Sequence, residues 1–456
     1  MAVSGRELVL DALSHKNLPR SPWVPYTGVQ VAKLRGYAAD EVLTDSGKLV
    51  ECLLEARRQY SPDGMPVVFD LQVEAEALGC ALAWSKNTPP SVAAHPLETA
   101  TRREVGALEL PSLGSARIPL VLEAMRRARA ALPDTALYGL ACGPFTLASH
   151  LRGTNIFLDM YDDPDLVKEL VAFCCEVFDL MAGAYVEAGM DVIGAVDPLV
   201  SQIAPESFEE FLLEPYTRLF SRLRARGVKS SFFVCGDATK NVPLMCRSGP
   251  DCLSIDENID IAAAKRVTDA AGVAISGNLQ LTVTMLLGTQ KDNQKAALDL
   301  LDVMGTKDFI LAPGCDMPFD VPPENVIGIG QAVQDPEGTR AFLAGYERTA
   351  FDQNVEMPDY ASYGAGSCLV EVYTIDSATC AACGYMKAAA EDAAASFGGR
   401  VEVVERKILD PANIARLGKL GIKNLPTIVV NGRPAFVSII PNRKELAASF
   451  DRGLGA

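Results

Sequence analysis

Ser231-Phe232-Phe233-Val234-Cys235-Gly236-Asp237 is a short apolar run that stops on a thiol and a glycine. Such a run reads as a buried β-strand that delivers the cysteine to its C-terminal end, where the chain turns. Phe309-Ile310-Leu311-Ala312-Pro313-Gly314-Cys315-Asp316 follows the same pattern. If both strands belong to one barrel, their cysteines meet at one rim, the side on which (β/α)8 barrels carry their chemistry.

Working outward, strand-like runs at residues 23–26, 66–69, 136–140, 192–196, 252–255 and 273–276 join those at 230–234 and 309–312, which makes eight. They end on Thr27, Asp70, Cys142-Gly143, Asp197, Cys235-Gly236, Asp256, Gly277-Asn278 and Gly314-Cys315. Amphipathic stretches such as 165–188 and 206–226 lie between them. The alternation predicts an α/β fold, a (β/α)8 TIM barrel over residues 1–345 with an N-terminal helical extension. An open doubly wound sheet is the alternative, weakened because no GxGxxG follows the first strand.

Residues 346–367 read as a linker, small and polar from Tyr360 to Ser367. Residues 368–456 then form a compact unit. Its expected order is a strand at 369–374, a helix opened by Cys380-Ala381-Ala382-Cys383, a strand at 401–406, a helix at 411–420, a hairpin turning at Asn431-Gly432, and a last helix.

Composition bounds the partners. At 456 residues and 49% hydrophobic, the chain is long enough for more than one packed core. A formal charge of −16 without a basic cluster argues against nucleic acid and anionic membrane. The longest charge-free run, 135–151, is broken by Gly139, Gly143 and Pro144, so no span is expected. Twelve cysteines without a secretion signal point to reduced thiols and a cytoplasmic protein.

A CxxC at a helix start after a strand is a redox pattern. Unpaired N–H groups and the helix dipole favour a thiolate on Cys380, and Cys383 resolves the mixed disulfide. No second CxxC or histidine pair follows, which disfavours a zinc half-site. With Leu425-Pro426-Thr427 ahead of the hairpin, the unit resembles the thioredoxin/glutaredoxin family. The resemblance implies a cis peptide before Pro426 beside the CxxC. The Ala-Ala spacer and the missing flanking tryptophan depart from that family and leave the direction of redox chemistry open. A docking domain with incidental cysteines is the plainer alternative.

In the barrel, Cys235 and Cys315 are candidate metal ligands, although buried free cysteines are common core residues. The first 345 residues resemble the uroporphyrinogen decarboxylase superfamily, and more closely its methylcobamide:coenzyme M methyltransferase branch. The resemblance rests on the stretch from Phe69-Asp70-Leu71 to Leu78-Gly79-Cys80, on Gly143-Pro144-Phe145-Thr146-Leu147-Ala148, and on Val234-Cys235-Gly236-Asp237. Leu253-Ser254-Ile255-Asp256, Ser276-Gly277-Asn278 and Pro313-Gly314-Cys315-Asp316 add to it, as does Pro322-Pro323-Glu324-Asn325. That branch implies zinc held by His-x-Cys and a distal cysteine, with the zinc-bound acceptor thiolate attacking a methyl group on a corrinoid cobalt. The cysteine positions are Cys235 and Cys315, but the histidine position is Phe233, and the chain's histidines are His15, His95 and His150.

Three readings of the mouth follow from this resemblance. Zinc survives with Cys142, Glu74, Asp197 or another rim carboxylate as the replacement ligand. Or the metal is lost and Cys235 and Cys315 form a thiol pair reduced by the CxxC. Or the barrel binds a ligand without chemistry. A decarboxylase is disfavoured, because no arginine follows the first strand until Arg35. Asp197 is the candidate catalytic carboxylate, and Asp70, Asp256 and Asn278 are candidate cofactor contacts; each aspartate also suits a helix cap.

The expectation is a corrinoid-dependent methyltransferase. It would move a methyl group between a methylcobamide, free or on a corrinoid protein, and a small thiol, with its thiols maintained by the CxxC unit. A thiol-disulfide oxidoreductase that uses the barrel for recognition, or a tetrapyrrole-binding protein, is the alternative.

Overall fold

The structure is a computed structural model describing residues 3–347, 355–364, 366–374, 377, 381–422, 425–437, 441 and 443–455. The chain divides into two compact units, residues 1–200 with 204–348, and residues 349–456 with 201–203.

The main sheet of the first unit has seven strands: β1 (Gly64–Pro66), β2 (Ala136–Cys142), β3 (Val192–Val196), β4 (Lys229–Val234), β5 (Cys252–Ile255), β6 (Ala274–Leu279) and β7 (Phe309–Pro313). They neighbour one another in that order, and every pair is parallel. Residues 22–24 fill the eighth place. Val24 N–H donates to Leu311 O at 3.0 Å, Leu311 N–H to Pro22 O at 2.9 Å, and on the other side Asp63 N–H donates to Trp23 O at 2.9 Å. The ring therefore closes, but the strand expected at 23–26 is a single bridge between Trp23 and Leu311. Pro22 and Pro25 supply the reason, since neither has an N–H to give a ladder.

Side chains hold that seam. The Asp63 carboxylate accepts from both terminal nitrogens of Arg20, at 2.6 and 2.7 Å, and from Trp23 N–H at 2.8 Å. Asp63→Ala is expected to lower the unfolding free energy by about 2 kcal/mol, below the range for fully buried pairs because Arg20 reaches solvent. Urea unfolding reads the change, and an unaltered midpoint would mean the seam does not depend on this carboxylate.

Two other departures from the sequence pattern have local causes. The helix expected over 206–226 is two, Pro205–Phe211 and Leu213–Ala225. Pro215 lacks the N–H that would carry one helix through the junction. A two-stranded hairpin, Ala81–Ala83 with Ser91–Ala94, stands after the second strand position, where no element was expected.

Inside the ring, Tyr26, Phe69, Tyr138, Leu140, Phe233 and Ala312 belong to one buried cluster. The Tyr26 hydroxyl is satisfied across the barrel by Ser254 at 2.9 Å and Ser276 at 3.0 Å, so this buried polar atom carries no unpaired cost.

The second unit is a four-stranded sheet of β8 (Cys368–Thr374), β9 (Val401–Lys407), β10 (Thr427–Val430) and β11 (Arg433–Val437) in the order β9-β8-β10-β11. β8 and β9 are parallel; β10 runs antiparallel to β8 and to β11. Helices Ala381–Ala395, Pro411–Leu420 and Arg443–Gly453 complete it, and the Leu425–Pro426 peptide is cis. Part of the segment expected as linker is bonded to this unit: Tyr360 O–H donates to the buried Glu371 at 2.7 Å, and Lys419 Nζ to Val355 O at 2.7 Å. Glu371 is also paired with Arg406 at 2.8 Å. Among the described residues no helix is long and apolar enough to cross a membrane.

Candidate active site

Cys235, one residue past β4, and Cys315, two past β7, are joined as a disulfide with Cα atoms 5.8 Å apart. The meeting of two distant sulfurs at the C-terminal ends of the strands is what the sequence predicted. Both cysteines are half-buried and pack on the aromatic cluster below them. There the Phe233 ring lies 4.7 Å from Tyr26 and 5.5 Å from Phe69, centroid to centroid. The position that would carry imidazole is thus part of an apolar floor.

Asp316, next to Cys315, has one buried oxygen without a partner. Loss of solvent, and then the charge of Asp70, holds its carboxyl well above the usual carboxylate range. Gly28, with φ of +37°, leaves room for it; a Cβ there would fall on the Asp316 carboxylate. Gly28→Ala is expected to displace Asp316 and destabilise the protein by about 2 kcal/mol through overpacking and backbone strain. An unchanged urea midpoint would show that Asp316 yields freely.

Asp70, just past the first strand, is a charged hub of the same rim. It pairs with Arg117 at 2.5 Å and caps Gln72 N–H at 2.9 Å. Arg117 also binds Glu76 at 2.6 Å and lies 4.7 Å over the ring of Trp84. Asp70, a candidate cofactor contact, is thus held by an arginine that no motif announced. Glu74, on helix α1 (Val73–Ala77), accepts weakly from Cys142 N–H at 3.3 Å, and its other oxygen is buried and unpaired. Burial pushes this carboxyl up to about 8. The Cys142 thiol, pushed well up by burial and by Glu74, sits 3.9 Å from His150 Nδ1. Burial depresses His150 to about 4.

Asp197 is fully buried at the start of helix α2 (Pro144–Arg152). It accepts from Phe145 N–H at 2.9 Å, from Thr146 N–H at 3.0 Å and from the Thr146 hydroxyl at 2.6 Å, and it also accepts from the Tyr216 hydroxyl. Those contacts make it a helix anchor, the alternative its sequence position allowed. Burial raises it to about 6 against these bonds. Asp256 accepts from Asn258 N–H at 2.9 Å and Nδ2 at 2.6 Å, and burial raises its carboxyl. Asn278 Nδ2 donates to Asp256 O at 3.0 Å and Ile259 O at 2.8 Å, shaping the turn. Glu257, which the sequence reading missed, is raised to about 8 by burial and by Asp256, and accepts from Leu281 N–H at 2.6 Å.

This geometry does not bring the expected zinc set Cys142, Cys235, Cys315 and Glu74 together as ligands. Zinc needs thiolates with free lone pairs, whereas the sulfurs of Cys235 and Cys315 are bonded to each other. Cys142 is a buried thiol facing His150, and Phe233 cannot ligate. Among the described residues no three histidine, cysteine or acidic side chains assemble into a metal site. The donor set does not fit zinc. In the second unit, Cys383 is buried in the helix Ala381–Ala395, and Cys380 lies outside the described residues.

A closed parallel α/β barrel with sulfur and acidic groups gathered at its strand ends has the layout of a barrel enzyme. The chain belongs to the uroporphyrinogen decarboxylase family, whose model, Uroporphyrinogen decarboxylase (URO-D), matches residues 4–335. It is 27% identical to the methylcobamide:CoM methyltransferase MtbA of Methanosarcina acetivorans over 329 residues, 70% of this chain and 95% of that protein. It is 30% identical to MtaA of Methanosarcina barkeri over 70% of this chain and 94% of that one. A solved methyltransferase from Methanosarcina mazei superposes with a TM-score of 0.68 at 27% identity, covering 73% of this chain and 99% of the other.

Proposed function

We propose that this chain is an enzyme that moves a methyl group between a methylcobamide and a thiol. Similarity to two methylcobamide:CoM methyltransferases along nearly their whole length supports the reaction class. The single observation that carries it to a site is the convergence of Cys235 and Cys315 over the Tyr26–Phe69–Phe233 floor.

In the forward direction the acceptor sulfur attacks the methyl carbon, a C–S bond forms, and the carbon–cobalt electron pair stays with the corrinoid substrate. The acceptor must first lose its proton. In the reduced protein one sulfur of the Cys235–Cys315 pair, present as its thiolate after losing its own proton to solvent, receives that proton, and Asp316, next in the chain, bounds the position. The aromatic floor keeps water from beneath it. No step passes through zinc, because the residues present do not fit it.

Residues 368–456 act as a thioredoxin-like domain. The strand order and the helix bearing Cys383 support that reading, and the CxxC keeps the barrel's thiols reduced. The domains are then 1–345 and 368–456, the partners a corrinoid protein or free cobamide and a small thiol. The test is turnover of methylcobalamin by the full chain under strict reduction, with coenzyme M and a panel of other small thiols. Thiol-dependent loss of the cobalt–carbon absorbance with formation of the S-methyl product is expected. Absence of turnover with every thiol would end this reading.

A further inference from the structure

We propose that Cys235 and Cys315 form a thiol-disulfide exchange site at the barrel mouth, whose substrate is a vicinal protein dithiol of the Cys-x-x-Cys class. The inference rests on the reading above that a CxxC dithiol keeps the barrel's thiols reduced, and it can be tested with no corrinoid and no methyl acceptor.

Accessibility comes first. Both cysteines are half-buried, so an incoming sulfur can reach the bond. Fold integrity comes next. β4 and β7 are separated by β5 and β6 and tied into the ring by backbone ladders. Opening the disulfide leaves those ladders and the aromatic floor intact. Selectivity completes the case. Cys52, Cys80, Cys142, Cys174, Cys246 and Cys252 of the same unit are buried and outside any disulfide. Burial pushes each of those thiols up, which makes them poor nucleophiles. Cys175, half-buried and outside the disulfide, is likewise pushed up to about 12 by burial, so the oxidised pair is the one held at the barrel mouth.

The step balances within a dithiol couple. A thiolate of the dithiol attacks one sulfur of the Cys235–Cys315 bond, which breaks as a mixed disulfide forms. The second thiol of the dithiol attacks its own bridged sulfur and leaves as part of a new disulfide. Two electrons pass to the barrel pair, and the two thiol protons of the dithiol end on Cys235 and Cys315. The Cys380–Cys383 segment is a dithiol of this class in the same chain.

The full native chain is first treated with oxidised glutathione. It is then incubated with or without a thioredoxin-class dithiol protein, blocked with a maleimide and mapped by peptide mass. Cys235 and Cys315 are expected to gain label together only after the dithiol, and to lose it again after a second oxidation. Methyl donor is absent throughout, so failure here leaves the proposed transfer to its own assay. Label that appears only in denaturant would overturn the proposal, because the bond would then be structural. Label that persists through oxidation, or stoichiometric zinc protecting both residues in the reduced chain, would overturn it too.

Discussion

Cys235→Ser and Cys315→Ser are each expected to cut thiol-dependent methylcobalamin turnover about 100-fold or more. That is the usual size of losing a positioned proton-transfer group. Assays in strong reductant remove any contribution from disulfide formation, so the loss reports on the sulfur itself. A hydroxyl at either position is close in volume but has no thiolate near neutral pH, and it cannot receive the acceptor's proton. The two variants should fall together, because residues acting on one proton are not additive. Thermal unfolding of the reduced variants should stay close to that of the reduced parent, since the β4 and β7 ladders carry the fold. Turnover within about twofold of the parent in both variants would remove the mouth sulfurs from the mechanism.

The sequence carries much of this site because strand ends are legible. A short apolar run followed by Cys-Gly or Pro-Gly-Cys fixes where a thiol emerges, and parallel topology brings such ends to one rim. The chemical state of those sulfurs is not legible, as two cysteines with the same spacing serve zinc or a disulfide equally well. Phe233 in place of a histidine was the clue, and its packing against Tyr26 and Phe69 shows the position given over to hydrophobic burial. The strand-end aspartates were ambiguous for a related reason. Asp197 at the end of β3 faces the first turn of α2, where free N–H groups capture it. Arg117 was invisible because it precedes a helix far from any motif and reaches Asp70 only through tertiary folding. The eighth strand was overread because the apolar count outweighed Pro22 and Pro25. In the second unit, the small and polar residues near Tyr360 looked like linker, yet a buried carboxylate at Glu371 needed a partner and found that tyrosine.

Stability should fall as pH rises from about 4.5 toward about 8, and Glu74→Gln should remove a large part of that fall. Glu74 moves from the ordinary 4.5 to about 8 because burial disfavours its charged form. The unfolded chain therefore releases this proton near pH 4.5, while the folded chain keeps it until about pH 8. Between those limits the native state binds more protons than the unfolded state, so the free energy of unfolding drops by about 1.4 kcal/mol per pH unit for each such group. The contribution is fully present below pH 4.5 and lost as pH passes 8. Integrated over the window, Glu74 accounts for roughly 4 kcal/mol. Glutamine keeps the acceptor for Cys142 N–H and cannot ionise, so E74Q should match the parent at acid pH and exceed it at pH 8. Glu257, raised to about 8 by burial and by Asp256, adds a second share that E74Q leaves in place. Urea unfolding of both proteins across this pH range checks the sign as well as the size. Parallel pH profiles for E74Q and the parent would mean that Glu74 ionises in the folded protein at no cost, which its buried and unpaired oxygen does not allow.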